Sequence, residues 1–178
     1  SRSTILLEIP EAKQRLGNMW KKYGQFYPGA DNFERFANDT APTFPKYLRR
    51  VLLNAFDTDY SGNVTAHEFI SGIAIIVNGT REERAKFLFA GYDMDRAGRL
   101  SKRQLGSIVK HLSRSDDDVD KKRKIYKTID RVEENYISES IFCQFVRRYQ
   151  KERFVVWISV FAKRLRDRVI EKNTSIIS

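Results

Sequence analysis

Three copies of one pattern, 36 and 37 residues apart, constrain the fold of this chain more than any other feature. The copies begin at Asp57, Asp93 and Asp130, and each aspartate directly follows an apolar segment with helical periodicity. Seven positions after each aspartate stands a branched apolar residue, namely Val64, Leu100 and Ile137. A second helical segment follows in each copy. The pattern predicts helix–loop–helix units, and we expect an all-α protein in which these units pair through short β-bridges between their loops.

The first loop, residues 57–68, meets every requirement of a calcium ion. Calcium takes six to eight oxygen ligands, and a 12-residue loop supplies them from positions 1, 3, 5, 7, 9 and 12, with glycine at position 6 for the turn. Gly62 stands at position 6. The predicted ligands are Asp57, Asp59, Ser61, Asn63, Thr65 and Glu68. An acidic turn that only caps a helix is the alternative, but it leaves the spacing of Gly62, Val64 and Glu68 unexplained.

The second loop, residues 93–104, keeps part of this ligand set. Asp93, Asp95 and Ser101 remain, but position 5 is Ala97 and position 12 is Gln104, which has one carbonyl oxygen instead of two carboxylate oxygens. Four basic residues surround the ion's position: Arg96, Arg99, Lys102 and Arg103. Their repulsion of a divalent ion predicts a loop that is empty or binds calcium weakly.

The third loop, residues 130–141, has hydrocarbon side chains at two ligand positions. Val132 stands at position 3 and Ile141 at position 12, and Asn135 replaces the glycine of the turn. We expect this loop to hold no metal. The chain therefore predicts one strong Ca²⁺ site.

Helical periodicity and capping signals divide the chain into three parts. Residues 1–80 are predicted to form an N-terminal lobe, with a degenerate first unit at about 11–46 and the calcium-binding unit at 47–78. Residues 81–150 are predicted to form a C-terminal lobe with two degenerate units, its first helix capped by Thr80 and Glu83. Residues 151–178 are predicted to form a basic amphipathic helix and tail.

The C-terminal helix combines an apolar stripe with a basic face, and residues 144–178 hold nine basic and three acidic residues. The stripe contains Phe154, Trp157, Ile158, Phe161 and Leu165. It either packs as a further helix on its own molecule, or occupies an apolar groove as an internal ligand, or contacts an anionic membrane surface. Nucleic-acid binding is not expected, because no reading motif accompanies the charge.

Five segments of the chain resemble the neuronal calcium sensor superfamily, especially the Kv-channel-interacting proteins. They are residues 24–29 (GQFYPG), 53–58 (LNAFDT), 69–73 (FISGI), 79–80 (GT) and 87–93 (FLFAGYD). The resemblance covers roughly residues 20–145. It implies four helix–loop–helix calcium units, known as EF-hands, in two pairs, of which the first binds no metal. It also implies a calcium-dependent apolar groove on the N-terminal side that grips a helix of a channel, receptor or enzyme.

Composition limits the remaining function classes. The single cysteine, Cys143, excludes an internal disulfide, and no segment has the length and apolar character of a membrane span, so we expect an intracellular protein, cytoplasmic or peripheral to a membrane. The net charge of +10 favours acidic partners. The sequence has no phosphate-binding glycine loop and no His and Cys spacing typical of zinc sites, so we do not expect an enzyme. The sequence predicts a calcium sensor that binds a helix of a partner protein. The alternative is a structural or cis-regulatory module that is docked constitutively in a larger assembly. If one helix–loop–helix unit has no partner within the chain, it could pair with the same unit of a second chain, which would give a dimer.

Overall fold

The computed structural model describes residues 8–23, 31–40, 42, 46–112 and 119–169, and within these ranges the protein is all-α with one small sheet. The elements in chain order are α1 (Pro10–Tyr23), α2 (Asp31–Thr40), α3 (Lys46–Phe56), α4 (Ala66–Asn78), α5 (Arg81–Tyr92), β1 (Arg99–Ser101), α6 (Lys102–Leu112), α7 (Val119–Asp130), β2 (Tyr136–Ser138), α8 (Glu139–Arg148) and α9 (Arg153–Val169). None of these helices is both long enough and apolar enough to cross a bilayer.

The predicted helices are found where local signals were strong. Helix α1 lies at the start of the region, about residues 11–46, that is predicted to form the degenerate first unit. Helix α5 begins after Thr80, whose side chain accepts a hydrogen bond from the backbone N–H of Glu83 while the Glu83 carboxylate accepts one from Thr80. This reciprocal pair confirms the predicted capping box. The segment at residues 24–29, which resembles the neuronal calcium sensors, lies outside the described residues.

Helices α3 and α5 lie side by side, and this contact brings the first two loops together. A Cβ atom at Gly91 would lie only 2.6 Å from the carbonyl oxygen of Val51, so no larger residue fits there without movement. The Asn54 side chain donates to the carbonyl oxygens of Ala90, Gly91 and Asp93 at 2.7, 3.2 and 3.2 Å. Because these bonds fix the carboxyl ends of both helices, the loops that follow them are neighbours.

The second and third loops are joined by the two-stranded sheet. Strands β1 and β2 run antiparallel, and Leu100 faces Ile137 as its Cα partner. Both side chains are buried. These are the apolar residues seven positions after Asp93 and Asp130, so the sheet links corresponding positions of two repeats.

One hydrophobic core extends from α1 to α9. Its largest fully buried side chains are phenylalanines, namely Phe36, Phe56, Phe69, Phe142 and Phe161. Helix α9 packs chiefly on α4 and α6, with further contacts to α1, α2 and α5. The boundaries predicted near residues 80 and 150 fall between helices, and the core continues across both of them.

Candidate metal centre

The loop at residues 57–68 begins where α3 ends and closes on the first turn of α4. Two buried rings anchor its ends, since Phe56 and Phe69 stack with their centroids 6.0 Å apart. Gly72 in α4 leaves room for the Phe56 ring, because a Cβ atom there would lie within 2.2 Å of two ring carbons. The core therefore fixes both ends of the loop.

Three carboxylates converge inside this loop. Asp57, Asp59 and Glu68 each offer an oxygen atom, and these atoms lie within 4.8 Å of one another. Asp57 and Glu68 are 4% and 7% exposed, whereas Asp59 is open to solvent. Oxygens that share one calcium ion at 2.3–2.6 Å lie at most about 5 Å apart. The spacing suits a single hard cation.

The loop backbone folds around the Asp57 carboxylate. Its Oδ1 accepts a hydrogen bond from Ser61 N–H and its Oδ2 accepts one from Gly62 N–H, both at 3.0 Å. Gly62 has a φ of 82°, in the left-handed region that glycine enters at least cost. Tyr60, at position 4, also has positive φ, at 62°. These turns direct the chain around the carboxylates.

The remaining predicted ligands bring further oxygens to the loop. Ser61 Oγ donates to the carbonyl oxygen of Asn63 at 3.0 Å, so the position 5 hydroxyl and the position 7 carbonyl are adjacent. Thr65 is the N-cap of α4, and its side chain accepts from Glu68 N–H. Glu68 in return accepts from Thr65 N–H at 2.9 Å. Positions 9 and 12 are thus held together by a capping box.

Glu68 is fixed as a charged group even without an ion. Its Oε1 accepts from Thr58 N–H, the Thr58 hydroxyl and Asp59 N–H, at 2.9, 2.9 and 3.2 Å. Burial by itself would raise the pKa of Glu68, but the hydrogen bonds from Thr65, Thr58 and Asp59 outweigh it and lower the pKa from 4.5 to about 2. The carboxylate at position 12 is therefore ionised at any physiological pH.

The sequence did not reveal that a side chain of the second loop reaches into the first. Arg96 Nη2 lies 2.8 Å from Asp57 Oδ2, and Nη1 donates to the Asp57 carbonyl oxygen at 3.3 Å. The guanidinium also lies 4.2 Å from the centroid of the Tyr60 ring. The pattern had placed Arg96 only among the cations of its own loop. No local signal marks the contact, because it depends on the packing of α3 against α5.

The second loop repeats the backbone of the first with other ligands. Asp93 accepts from Ala97 N–H and Gly98 N–H at 3.0 and 2.8 Å, and Gly98 has a φ of 69°. Gln104 takes the capping role of Glu68, accepting from Ser101 N–H at 2.6 Å. Asp95 and Ser101 are exposed. Burial and the adjacent Asp95 carboxyl raise the pKa of Asp93, so this loop disfavours its own charge.

The third loop contains a lysine ammonium at its carbonyl groups. Lys102 Nζ donates to the carbonyl oxygens of Asp130 and Val132, at 3.3 and 2.5 Å. Positive φ values in the described residues occur in the first two loops alone, so Asn135 does not form the position 6 turn. Among the described residues, the one group of three His, Cys, Asp or Glu side chains close enough to share an ion is that of Asp57, Asp59 and Glu68.

The candidate interface residues of α9 face the chain's own core. Trp157, Ile158, Phe161 and Leu165 are buried, and the side chain of Phe154 lies outside the described part. Trp157 Nε1 donates to the Tyr92 hydroxyl at 2.8 Å, and the Phe161 ring lies 6.0 Å from that of Phe36. The stripe considered for a partner or a membrane is therefore covered by this molecule.

Two arginines of α9 donate hydrogen bonds to other helices of the chain. Arg166 Nη2 donates to the Val77 carbonyl at 2.7 Å, near the carboxyl end of α4, where a cation is favoured. Arg168 donates to the Tyr23 hydroxyl at 3.0 Å and to the Thr40 hydroxyl. These bonds fasten the last turns of α9 to α1, α2 and α4.

No protein-family model matches the chain. The functional conclusion therefore depends on the residues and their geometry.

Proposed function

We propose that the chain is an EF-hand regulatory protein that binds one Ca²⁺ at residues 57–68 and presents an apolar groove to a partner helix. One observation carries the proposal. Three carboxylates at positions 1, 3 and 12 of a twelve-residue loop meet within 4.8 Å around a turn made by Gly62. All-oxygen ligands with this charge suit calcium better than transition metals, which prefer nitrogen or sulfur.

The surrounding elements support the link from ion to partner. Glu68 is both the position 12 ligand and the capping residue of α4, so an ion that attracts this carboxylate also acts on the first turn of that helix. Helix α4 is the main neighbour of α9. A change in the angle between α3 and α4 would thus alter the surface on which α9 rests, which is how sensor hands expose a groove.

The packing of α9 favours a second candidate, a structural or cis-regulatory module. Its apolar stripe is already buried on the chain's own helices, and Arg166 and Arg168 hold its end. In that case calcium stiffens the first hand, and the protein docks constitutively through another surface.

Calorimetric titration of calcium tests the proposal. The wild type should bind one ion with a dissociation constant on the order of micromolar, as sensor hands do. Glu68→Gln should weaken binding at least hundredfold, because it removes a charge and one of two oxygens. Gln104→Ala, at the same position of the second loop, is the matched control and should leave binding unchanged. No measurable binding by the wild type would refute the calcium assignment.

Binding of an apolar dye separates the two candidates. For the sensor, fluorescence should rise on adding calcium to the wild type and stay constant in Glu68→Gln. Equal signals with calcium and with chelator would favour the structural module.

A further inference from the structure

The Arg96 guanidinium and the proposed calcium ion need the same carboxylate. Arg96 forms an ion pair with Asp57 at 2.8 Å and also donates to the Asp57 carbonyl, so two of its nitrogens contact one residue. The Asp57 side chain is 5% exposed and that of Arg96 is 26% exposed, which makes this the most buried ion pair of the described residues. Screening by water and salt is weakest in such a setting.

The structure around Arg96 holds it in this position. Its φ of 55° turns the second loop at position 4, and its guanidinium lies over the Tyr60 ring of the first loop. Asn54 fastens the end of α3 to the residues around Asp93, which fixes the distance between the loops. Contacts with Asp57 and with the Tyr60 ring therefore hold the Arg96 guanidinium at the neighbouring loop.

We propose that Arg96 is an internal competitor that lowers the calcium affinity of the 57–68 loop by pairing with Asp57. This regulation presupposes the calcium site of the proposed function. A divalent ion within about 5 Å of a guanidinium is repelled enough to lose roughly tenfold in affinity, even at the dielectric constant of water. By reciprocity, calcium weakens the pair between Arg96 and Asp57 to the same extent, so the ion's arrival loosens the link between the first and second loops.

Calcium titration of Arg96→Gln tests the competition. Glutamine keeps a long polar side chain and removes the charge, so the dissociation constant should fall about tenfold, equal to about 1.4 kcal/mol. Arg103→Gln is the matched control, because Arg103 is an exposed cation of the same loop, and its effect should stay below about twofold. Arg96→Lys keeps the charge but loses the two-nitrogen contact, and it should lie between the wild type and Arg96→Gln.

The outcomes separate this inference from the proposed function. Unchanged or weaker binding by Arg96→Gln, with normal binding by the wild type, would overturn the competition and leave the calcium site intact. No binding by either protein would overturn both. Binding by Arg96→Gln alone would support the competition and would refute calcium binding by the wild type.

Thermal unfolding gives a second readout that a purely structural arginine would not produce. With chelator, Arg96→Gln should melt below the wild type, because Asp57 loses its partner. At saturating calcium that deficit should shrink or reverse, since the ion replaces the guanidinium and binds more tightly. An equal deficit under both conditions would contradict the inference.

Discussion

In both the 57–68 loop and the 93–104 loop, the first aspartate accepts hydrogen bonds from the N–H groups at positions 5 and 6. In both, positions 4 and 6 have positive φ, and position 12 caps the following helix. Of these two loops, only the first brings three carboxylates together. The comparison teaches that the loop backbone is built by one aspartate and a capping residue. The set of metal ligands is independent of this backbone, and it differs between the two loops at positions 5 and 12.

Electrostatics strengthens this difference. Hydrogen bonds from backbone N–H and threonine hydroxyl groups lower the pKa of Glu68 in the first loop despite its burial, whereas burial and the neighbouring Asp95 carboxyl raise the pKa of Asp93 in the second loop. One cation of the second loop, Arg96, is directed to Asp57, and another, Lys102, is directed to the third loop. The cations predicted to repel metal from their own loop therefore also act on its neighbours.

The largest expected effect comes from giving the second loop the ligands of the first. In a Glu68→Gln background, Ala97→Ser with Gln104→Glu should raise the calcium affinity of residues 93–104 at least hundredfold, about 2.7 kcal/mol. The backbone already has the required turn, so only oxygens and charge are added. Calorimetry should detect one ion per chain. Adding Asp93→Asn is the control and should remove the signal. If this variant shows no calcium binding by calorimetry, the shared backbone geometry and the added oxygens are not sufficient for calcium binding.

A smaller effect is expected from acid. Because the folded pKa of Glu68 is about 2 and its unfolded value is 4.5, its contribution is fully present above pH 4.5 and is lost as the pH falls toward 2. With allowance for solvent screening, the loss is about 2 kcal/mol. Urea unfolding with chelator at pH 7 and pH 2.5 should show the stability advantage of the wild type over Glu68→Gln shrinking in acid.

The second loop should respond with the opposite sign. The raised pKa of Asp93 means that the folded state favours its protonated form, so its contribution is best at low pH and is lost as the pH rises. Relative to Asp93→Asn, the wild type should therefore gain stability on acidification. If the stability difference between the wild type and Glu68→Gln changes with pH in the same direction as that between the wild type and Asp93→Asn, the electrostatic contrast between the loops is wrong.

Local signals predicted much of this structure. The capping box of Thr80 and Glu83 depends on residues three positions apart, and the three-copy pattern is recognised from its spacings of 36 and 37 residues. The positions of the carboxylates in the first loop follow from a short-range pattern too, because Asp57 and Gly62 are only five residues apart in one twelve-residue loop.

Contacts between distant segments of the chain leave no local signal in the sequence. Arg96 and Asp57 are 39 residues apart in sequence, and their pairing follows from the close approach at Gly91, which no periodicity reveals. For the same reason, the sequence of α9 is compatible with three alternatives. An amphipathic helix with a basic face fits its own core, a groove or a membrane equally well, and only packing distinguishes them.

The smallest effect tests whether the two loops share one backbone. Gly62→Ala and Gly98→Ala place a Cβ atom at positive φ, where nothing lies within 4 Å of it, so the cost is purely conformational. We expect each to lower the free energy of unfolding by about 1 kcal/mol with chelator. Gly17→Ala is the control, because its Cβ also meets no atom but sits in helix α1, where alanine should stabilise by about 0.5–1 kcal/mol.

With calcium present, Gly62→Ala should weaken ion binding and Gly98→Ala should not, since only the first turn carries a complete ligand set. Urea unfolding and calorimetry of the three variants would show whether the loops are alike in folding and different in binding; unequal losses with chelator would mean that they are not.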